Sequence, residues 1–596
     1  MAETKETGKV KHIVYLTTSW RPYALLALAV LGLYAQTLSF GYTGHDDIQL
    51  LEQKAHLLSD PGNIGLAFTT DVVWGHQEIY YRPVLTLSFM ADAFWGGVRP
   101  FSFHLGDILI HLAAVLLLFV FIKRLTESAP TALITSLLFA VHPLLARAVA
   151  WIPGRNDSLL TVWVLASFLF YLEYNDWGKG RNYLLHLLFF FLALLTKETA
   201  VFVPVLAVLS YCLIPPDKKA RSKPRLGLLF AGWALCLAGY YLLRHNAISA
   251  GAGLSNARFN TLAENLTGFV SYVGKIFFPF RLSGDPIPAD LPLIYGLAVI
   301  VLISGLFFLW GIKDRGKFIF GLAWFLLFLL PTFLGNTTYA NFAEHRLYLP
   351  LCGLAVMLLQ LNINIQGRAA KSIAASALIL VLALFTLLNV LHTRSFASGL
   401  THWGKTVKNS PHSYHAHNML GRWYAERGNW GPAEKEFKIS WELNPAHTAA
   451  GNDLGLLYLA QGQTAKAESL FTYILQKDSN SAGARNNLGL IYMDRGQWDM
   501  ALEQFQQSVK LQPKKAQGQD NLGLAYFKKG MWSQAEQSFL AAYRIDPGDQ
   551  KINYHLASLY YIMKDYPKAV HHYDQALSQG LEPDPRILEA LKPYRR

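Results

Sequence analysis

Residues 24–51 read "ALLALAVLGLYAQTLSFGYTGHDDIQLL". The stretch through Phe40 is overwhelmingly apolar, and with the residues just before it approaches the roughly twenty needed to cross a bilayer as a helix. Two adjacent carboxylates, Asp46 and Asp47, stand where that run ends. Comparable runs recur as "ILIHLAAVLLLFVFI" (108–122) and "AASALILVLALFTLLNVL" (374–391). The 596 residues are 52% hydrophobic, 13% aromatic and only 16% charged, too apolar for a soluble chain of this length. From Ser413 onward the runs give way to a polar, amphipathic pattern. The expected fold is all-α: a polytopic membrane domain followed by a soluble helical one.

The net charge of +13 does not require nucleic acid, because in a membrane protein Lys and Arg mark the cytoplasmic loops. Lys5, Lys9, Lys11 and Arg21 precede the first run, and "KR" (123–124), "KGR" (179–181), "DKKARSKPR" (217–225), "KDRGK" (313–317) and "GRAAK" (367–371) separate later ones. Placing all of these inside gives about eleven spans, near 22–40, 101–122, 131–149, 158–174, 183–196, 199–214, 226–243, 291–311, 318–334, 345–363 and 372–391. Residues 1–21 are then cytoplasmic, 22–395 the membrane domain, 41–100 its first outer loop and 396–412 a linker to an outer soluble domain. The segment 266–280 is expected to be re-entrant or interfacial, since counting it as a span would put "KDRGK" outside. The first run follows a polar leader and lacks a small-residue cleavage site, so it reads as an anchor. Cys212, Cys236 and Cys352 lie in apolar runs and suggest neither a disulfide framework nor a zinc site.

In this topology the unusual polar residues gather on the outer side. Asp46 and Asp47 share the first outer loop with Arg82 of "YYRPVLTLSF". His104, Asp107 and His111 fall on one face of the second span, and an ionisable group inside a span is a functional candidate by default. "FAVHPLLARAVAWIPGRNDSLL" brings His142, Arg147, Arg155 and Asp157; "LLTKETAVF" brings Lys197 and Glu198; "NFAEHRLYLPL" brings Glu344, His345 and Arg346. Any one of them would serve as an interfacial anchor. Together they describe a polar cavity at the outer leaflet, lined by cations and a carboxylate pair. Such cations suit a lipid phosphate, and a carboxylate beside them suits a general base or a divalent cation. Transport of an anionic solute would use the same composition.

The order "HDDIQLL", "YYRPVLTLSF", "FHLGDILIHL", "LLFAVHP" with "AVAWIPGRND", "LLTKE" and "FAEHRLYLP" resembles the transmembrane and TPR-containing O-mannosyltransferases and their bacterial relatives. The resemblance implies a C-type glycosyltransferase fold and inverting transfer of a hexosyl or mannosyl unit from a polyprenyl-phosphate carrier to an acceptor hydroxyl. In that superfamily an acidic motif in the first outer loop is catalytic, which the resemblance carries onto Asp46 and Asp47. Arg82, His142, Arg155, Lys197, Glu198, Glu344, His345 and Arg346 fall in the other matching motifs, as donor phosphate and sugar contacts. His104, Asp107, His111 and Asp157 are supporting polar residues. The motifs name no cofactor, and a divalent cation at the Asp pair is left open. This chain departs from the pattern at Arg147, where relatives often carry an acid, and in reading "EHR" at 344–346.

Residues 413–580 repeat. "LGRWYAERGNWGPAEKEF", "LGLLYLAQGQTAKAESLF", "LGLIYMDRGQWDMALEQF", "LGLAYFKKGMWSQAEQSF" and "LASLYYIMKDYPKAVHHY" align without gaps, with Gly421, Gly455, Gly489, Gly523 and Ala557 at a period of 34. That period and pattern are the tetratricopeptide signature, about five repeats stacking into a solenoid, followed by a tail at 581–596. The stripe of Tyr424, Tyr458, Tyr492 and Tyr526 is expected to be packing between helices. The groove is expected to take an acceptor protein or peptide. The layout favours a bacterial inner membrane with the solenoid in the periplasm, or an ER membrane with a luminal solenoid. Two rivals share the layout: an O-antigen ligase or O-oligosaccharyltransferase, and a non-catalytic scaffold displaying a repeat arm. The first would place its key residues in a late outer loop, and the second would not need His, Asp, Arg and Lys gathered at one face.

Overall fold

The computed structural model describes residues 19–44, 47–70, 80–214, 226–248, 262–287, 290, 293–333 and 343–595. The chain divides into two compact units, Met1–Ala416 and His417–Arg596. The described residues are helical, with one isolated β-bridge, Ile312 to Leu361.

Unit 1 is a multi-pass membrane domain. Its main helices are α1 (Arg21–Tyr34), α2 (Pro83–Gly96), α3 (Pro100–Thr126), α4 (Ala129–Val141), α5 (Ala146–Ala150), α6 (Arg155–Trp177), α7 (Gly180–Thr196), α8 (Val203–Leu213), α9 (Leu226–Ala247), α10 (Leu262–Phe277), α11 (Leu293–Trp310), α12 (Arg315–Phe333), α13 (Tyr348–Leu358), α14 (Arg368–Thr393) and α15 (Gly399–Asn409). Among the described residues seven helices are long and apolar enough to cross a membrane, and a bent pair, 129–141 with 143–150, makes an eighth. Each of the eleven expected runs falls on one of these, on the shorter apolar helices 180–196 and 198–213, or on α13. The segment expected to be re-entrant or interfacial is α10, which is not among the membrane-length helices.

Local chemistry sets the boundaries. α3 begins at Pro100, whose missing N–H costs nothing in a first turn, and ends on Lys123 and Arg124, which complement the helix dipole. Pro143 disfavours helix at the residue before it, so α4 stops at Val141 and the chain bends by 53° into α5. A broken span frees backbone carbonyls, and Asn389 of α14 recovers two of them: its Nδ2 donates to the Val141 and His142 oxygens at 3.3 and 3.2 Å. Inside the bundle, Trp324 is fully buried against Phe121, Phe168 and Phe320 and donates its indole N–H to the Leu349 carbonyl at 3.1 Å. Lipid tails are as apolar as leucine, so close contact holds such helices together. At the α10–α11 crossing a Cβ on Gly296 would sit 1.9 Å from the Val270 carbonyl oxygen, a position only glycine fits. α11 and α14 are strongly apolar yet mostly unburied, with Phe308 88% exposed, as a lipid-facing surface requires.

Residues 396–412, expected to be a linker, contain α15, and this segment packs within unit 1. Ser398 and Thr401 form a capping box at its start, and Asn409 Nδ2 donates to the Leu282 carbonyl at 2.8 Å.

Unit 2 is the tetratricopeptide solenoid. Five helical pairs run 414–425 with 430–443, 448–460 with 464–477, 482–494 with 498–511, 516–528 with 532–545 and 550–562 with 566–578. In the first four pairs the turn holds a glycine at φ +73°; in the fifth the same place is Lys564 at φ +63°. The tail is structured over most of its length: Pro585–Leu591 is helical, Leu591 is fully buried, and Tyr594 stacks on Tyr566 at 3.7 Å. Repeat arrays need such a cap, because the last repeat has no successor to cover its core.

Candidate active site

The loop after α1 turns at Gly44, whose φ of +136° suits glycine. Asp47 follows, 1% exposed, and its Oδ2 accepts the backbone N–H of Thr43 at 2.5 Å and the Thr43 hydroxyl at 2.6 Å. Two bonds on one oxygen fix the carboxylate's direction. His45 and Asp46 lie outside the described residues.

Asp47 is within electrostatic range of Asp107 on α3. Asp107 in turn meets Arg155, the first residue of α6, with Nε to Oδ1 at 2.5 Å. Arg155 is completely buried, hydrogen-bonded through Nε and both Nη and ion-paired to two carboxylates. One Nη donates to the Ser88 carbonyl and hydroxyl at 3.2 and 3.3 Å; the other donates to the Phe103 carbonyl at 2.7 Å and stands 2.5 Å from Asp92 Oδ2 as an ion pair. The Phe89 ring lies 4.6 Å beneath it. Arg155 is expected to touch a phosphate; in this structure its partners lie on α2 and α3, so it ties α2, α3 and α6 together. Burial pushes the Asp92 carboxyl above the ordinary range, against the pull of Arg155.

A second cluster is built from the turn between α7 and α8. Arg82 forks onto Glu198 at 2.8 and 3.3 Å and lies 4.4 Å over the Tyr80 ring. Lys197 reaches Asp157 Oδ1 at 2.7 Å, while His345 Nε2 is 3.9 Å from Asp157 Oδ2. Arg82, Lys197 and Arg346 are close enough that each bears on the charge state of a neighbour. Burial pushes the Lys197 ammonium below the usual lysine value; Asp157 opposes this, and Arg82 and Arg346 add to it.

The third cluster centres on Glu344, which is fully buried. Its Oε1 accepts Lys275 Nζ at 3.2 Å and the Ser283 N–H at 2.9 Å, and its Oε2 lies 3.3 Å from His392 Nε2. Burial alone would raise this carboxyl; Lys275, His392 and Arg147 outweigh it and hold it at about 2. Arg147 caps the Gly284 carbonyl and stacks 4.6 Å over Trp151.

The histidines divide differently from the expectation. His142 uses both nitrogens in the fold: Nε2 meets the Ile276 carbonyl at 3.0 Å and Nδ1 accepts the Leu144 N–H at 3.3 Å. His111 sits between the Tyr348 hydroxyl and the Ala140 carbonyl. His104 is buried edge-on to Phe40, and neither ring nitrogen makes a well-formed hydrogen bond.

Sequence reasoning missed Asp92, Lys275, Ser283 and His392. Lys275, in "SYVGKIFF", was findable as an ionisable group within an apolar stretch. Asp92 and Ser283 carry no such signal, since their partners are remote in sequence. Among the described residues no three His, Cys, Asp or Glu are grouped to hold a metal ion, and half of the acidic pair lies outside them.

Residues 85–241 match the profile of the dolichyl-phosphate-mannose-protein mannosyltransferase family, and residues 419–482 and 489–530 match tetratricopeptide profiles. Asp92, Asp107, Arg155, Asp157, Lys197 and Glu198 fall within the first match; Asp47, Arg82, Lys275 and Glu344 fall outside it. The chain is 33% identical over 211 residues to the human protein O-mannosyl-transferase TMTC1 and 30% identical over 202 residues to Tmtc1 of Drosophila melanogaster, covering 32% of this chain and 23% of each relative. It is 33% identical over 150 residues to human TMTC2, covering 24% of this chain and 18% of that one. The matched stretch thus spans less than a quarter of these relatives' length. The chain carries a segment similar to the mannosyltransferase domain of O-mannosyltransferases, joined to tetratricopeptide repeats.

Proposed function

We propose that the protein is an inverting membrane glycosyltransferase that moves a hexosyl unit, mannose by similarity, from a polyprenyl-phosphate carrier to a hydroxyl of a protein acceptor. The observation that carries the reading is the set of cations Arg82, Lys197 and Arg346 gathered around Asp157, in and beside the segment similar to a mannosyltransferase domain. Three cations near two carboxylates leave positive charge for a phosphate leaving group. In the proposed step an acceptor oxygen attacks the anomeric carbon from the face opposite the phosphate. The carbon–oxygen bond to phosphate breaks, its electron pair leaves on the polyprenyl phosphate among the cations, and the acceptor proton passes to an acid of the Asp46–Asp47 pair. The positive-inside distribution of Lys and Arg supports an outer-face site and an outer solenoid, periplasmic or luminal, which recruits the acceptor. Purified protein given radiolabelled polyprenyl-phosphate mannose should release polyprenyl phosphate and label a hydroxyl-bearing peptide. Failure to consume that donor, with consumption of a diphosphate-linked oligosaccharide instead, would move the protein to the ligase class.

A further inference from the structure

A cavity of about 200 Å³ opens between α10 and α11 of unit 1. Ser271, Lys275 and Phe278 stand at i, i+4 and i+7 of α10 and line it from one helix face. Phe280 and Arg281, just past α10, and Tyr295, near the start of α11, complete the wall. The two helices approach closely here, since a Cβ on Gly274 would meet the Gly296 nitrogen at 2.8 Å. Lys275 is buried, and of the three N–H donors on its ammonium the bond to Glu344 uses one. Arg281 is exposed, and among the described residues it has no hydrogen-bond or ion-pair partner. Its backbone is left-handed, with φ at +52°, a conformation that costs any residue with a Cβ. Such residues cluster where a side chain is held ready for a ligand. Ser271 has given its hydroxyl proton to the Thr267 carbonyl at 2.8 Å, so it offers the cavity an acceptor only.

Two cations, three aromatic rings and one acceptor fit an anion that carries a hydroxyl and an apolar body. The cavity is smaller than the roughly 300–1,000 Å³ that encloses a whole small molecule, so it seats a head and leaves the rest outside. What lies outside faces lipid. Phe278, Phe280 and Tyr295 are each about half exposed at the mouth, as aromatic side chains at a membrane interface are. Beyond them Ile294, Leu297 and Val301 of α11, all exposed, form a stripe at i, i+3 and i+7. The stripe runs about 10 Å along the helix, roughly two-thirds of the apolar depth of one leaflet. With "KDRGK" (313–317) inside, the cavity lies at the outer leaflet. The cations assigned to the donor lie off this face of α10. Tyr272, one residue on from Ser271, donates to the Ala343 carbonyl at 2.9 Å, on the side where Arg346 bears on it. We propose that the cavity binds the headgroup of an anionic phospholipid bearing a free hydroxyl, such as a glycerol headgroup, with Lys275 and Arg281 on its phosphate, Ser271 on its hydroxyl and an acyl chain along α11. Lys275 then bridges the lipid phosphate and Glu344. This lipid is distinct from the sugar carrier, and its retention needs no donor.

The test is mass spectrometry of the intact full-length protein released from nanodiscs of equal parts phosphatidylglycerol and phosphatidylcholine, with no sugar donor present. The protein should retain phosphatidylglycerol over phosphatidylcholine by about tenfold or more. Arg281→Gly removes the guanidinium and relieves the left-handed backbone, so it should melt no lower than the wild type. It should lose most of that preference, while Arg281→Lys keeps the charge and should hold it to within about threefold. Equal retention of the two lipids, or an unchanged preference in Arg281→Gly, would overturn the proposal. So would displacement by inorganic phosphate, which marks a site for free anions, or by polyprenyl phosphate at equal concentration, which assigns the cavity to the sugar carrier. A separate assay of polyprenyl-phosphate mannose consumption tells the two readings apart. If no donor is consumed while phosphatidylglycerol retention follows Arg281, the enzyme reading fails and the lipid site stands. Donor consumption with no lipid preference removes the lipid site alone.

Discussion

Thr43 gives both its backbone N–H and its hydroxyl to one oxygen of Asp47, four residues on, and so aims a buried carboxylate from within a single loop. A base works only when its lone pair points at the proton it must take. Asp47→Asn keeps the shape and should lower sugar transfer by about 10²–10⁴, a range typical of a lost general base. Thr43→Val removes one of the two bonds and should cost about tenfold, since the backbone N–H still holds Asp47. The measurement is turnover at saturating donor with donor affinity checked separately. Near wild-type transfer by Asp47→Asn would move the base to Asp46.

Arg155 answers to a different assay. Because Arg155 is fully buried and ion-paired to both, its loss leaves Asp92 and Asp107 without their cation. Removing one partner of a buried ion pair costs about 3–5 kcal/mol. Arg155→Lys keeps the charge but not the planar fork, and should lower the melting temperature in detergent while the folded fraction keeps its donor KM. A stable Arg155→Lys protein with a raised donor KM would show instead that the guanidinium reaches the phosphate.

For Lys197 the prediction is a pH profile. A lysine is cationic below its pKa, and burial, with Arg82 and Arg346, draws that pKa below the ordinary lysine value. The charge is therefore lost at lower pH than on a surface lysine, and donor affinity should fall early on the alkaline side. Lys197→Arg keeps the cation at all accessible pH values and should push that limb outward. An alkaline limb that stays in place in Lys197→Arg would assign it to another group.

Much of this was legible in the sequence, for reasons that differ by region. The solenoid follows from a 34-residue period, because each repeat folds on local contacts and its neighbours alone. The membrane helices follow from run length. The polar residues of unit 1 were found as outliers among apolar neighbours, but their partners were not. Arg155 stands out in the sequence as a cation, but its pairing with Asp92, 63 positions away, does not, because linear spacing carries no such information. The segment 396–412 looked like a linker because it is polar and lies between two domains. It is polar because its hydroxyls and amides serve the loop at 282–285, as Ser410 does for Ser283 at 2.9 Å.

Lys564 offers a small test of the repeat logic. It holds a left-handed conformation that four glycines hold in the earlier repeats. Such a backbone costs a side-chain-bearing residue about 1 kcal/mol. Lys564→Gly should therefore raise the stability of the solenoid slightly in a denaturant titration, despite the added freedom of the unfolded chain. A loss of stability would mean that Lys564 makes a contact outweighing the strain.

The last prediction concerns α15, which touches two of the three clusters. On one side Ala397, just before it, accepts the Gly41 N–H at 3.3 Å, and a Cβ on Gly44 would stand 3.2 Å from Trp403 Nε1, so the loop that aims Asp47 rests on this segment. On the other side Thr406 Oγ1 accepts the Gly284 N–H at 3.2 Å, and the neighbouring Ser283 N–H is the one that bonds Glu344. One rigid helix thus sets the distance between the loop carrying the proposed base and the carboxylate held by Lys275 and His392. Trp403→Ala should loosen the first contact and Thr406→Val the second, each lowering turnover by about tenfold with little change in donor KM. Because both act through the same helix, their effects should not add. A double-mutant cycle should show a coupling of about 0.5 kcal/mol or more, in the range found for sites that share a structural element. Independent supports would give simple additivity, and α15 would then be two separate buttresses with no common function.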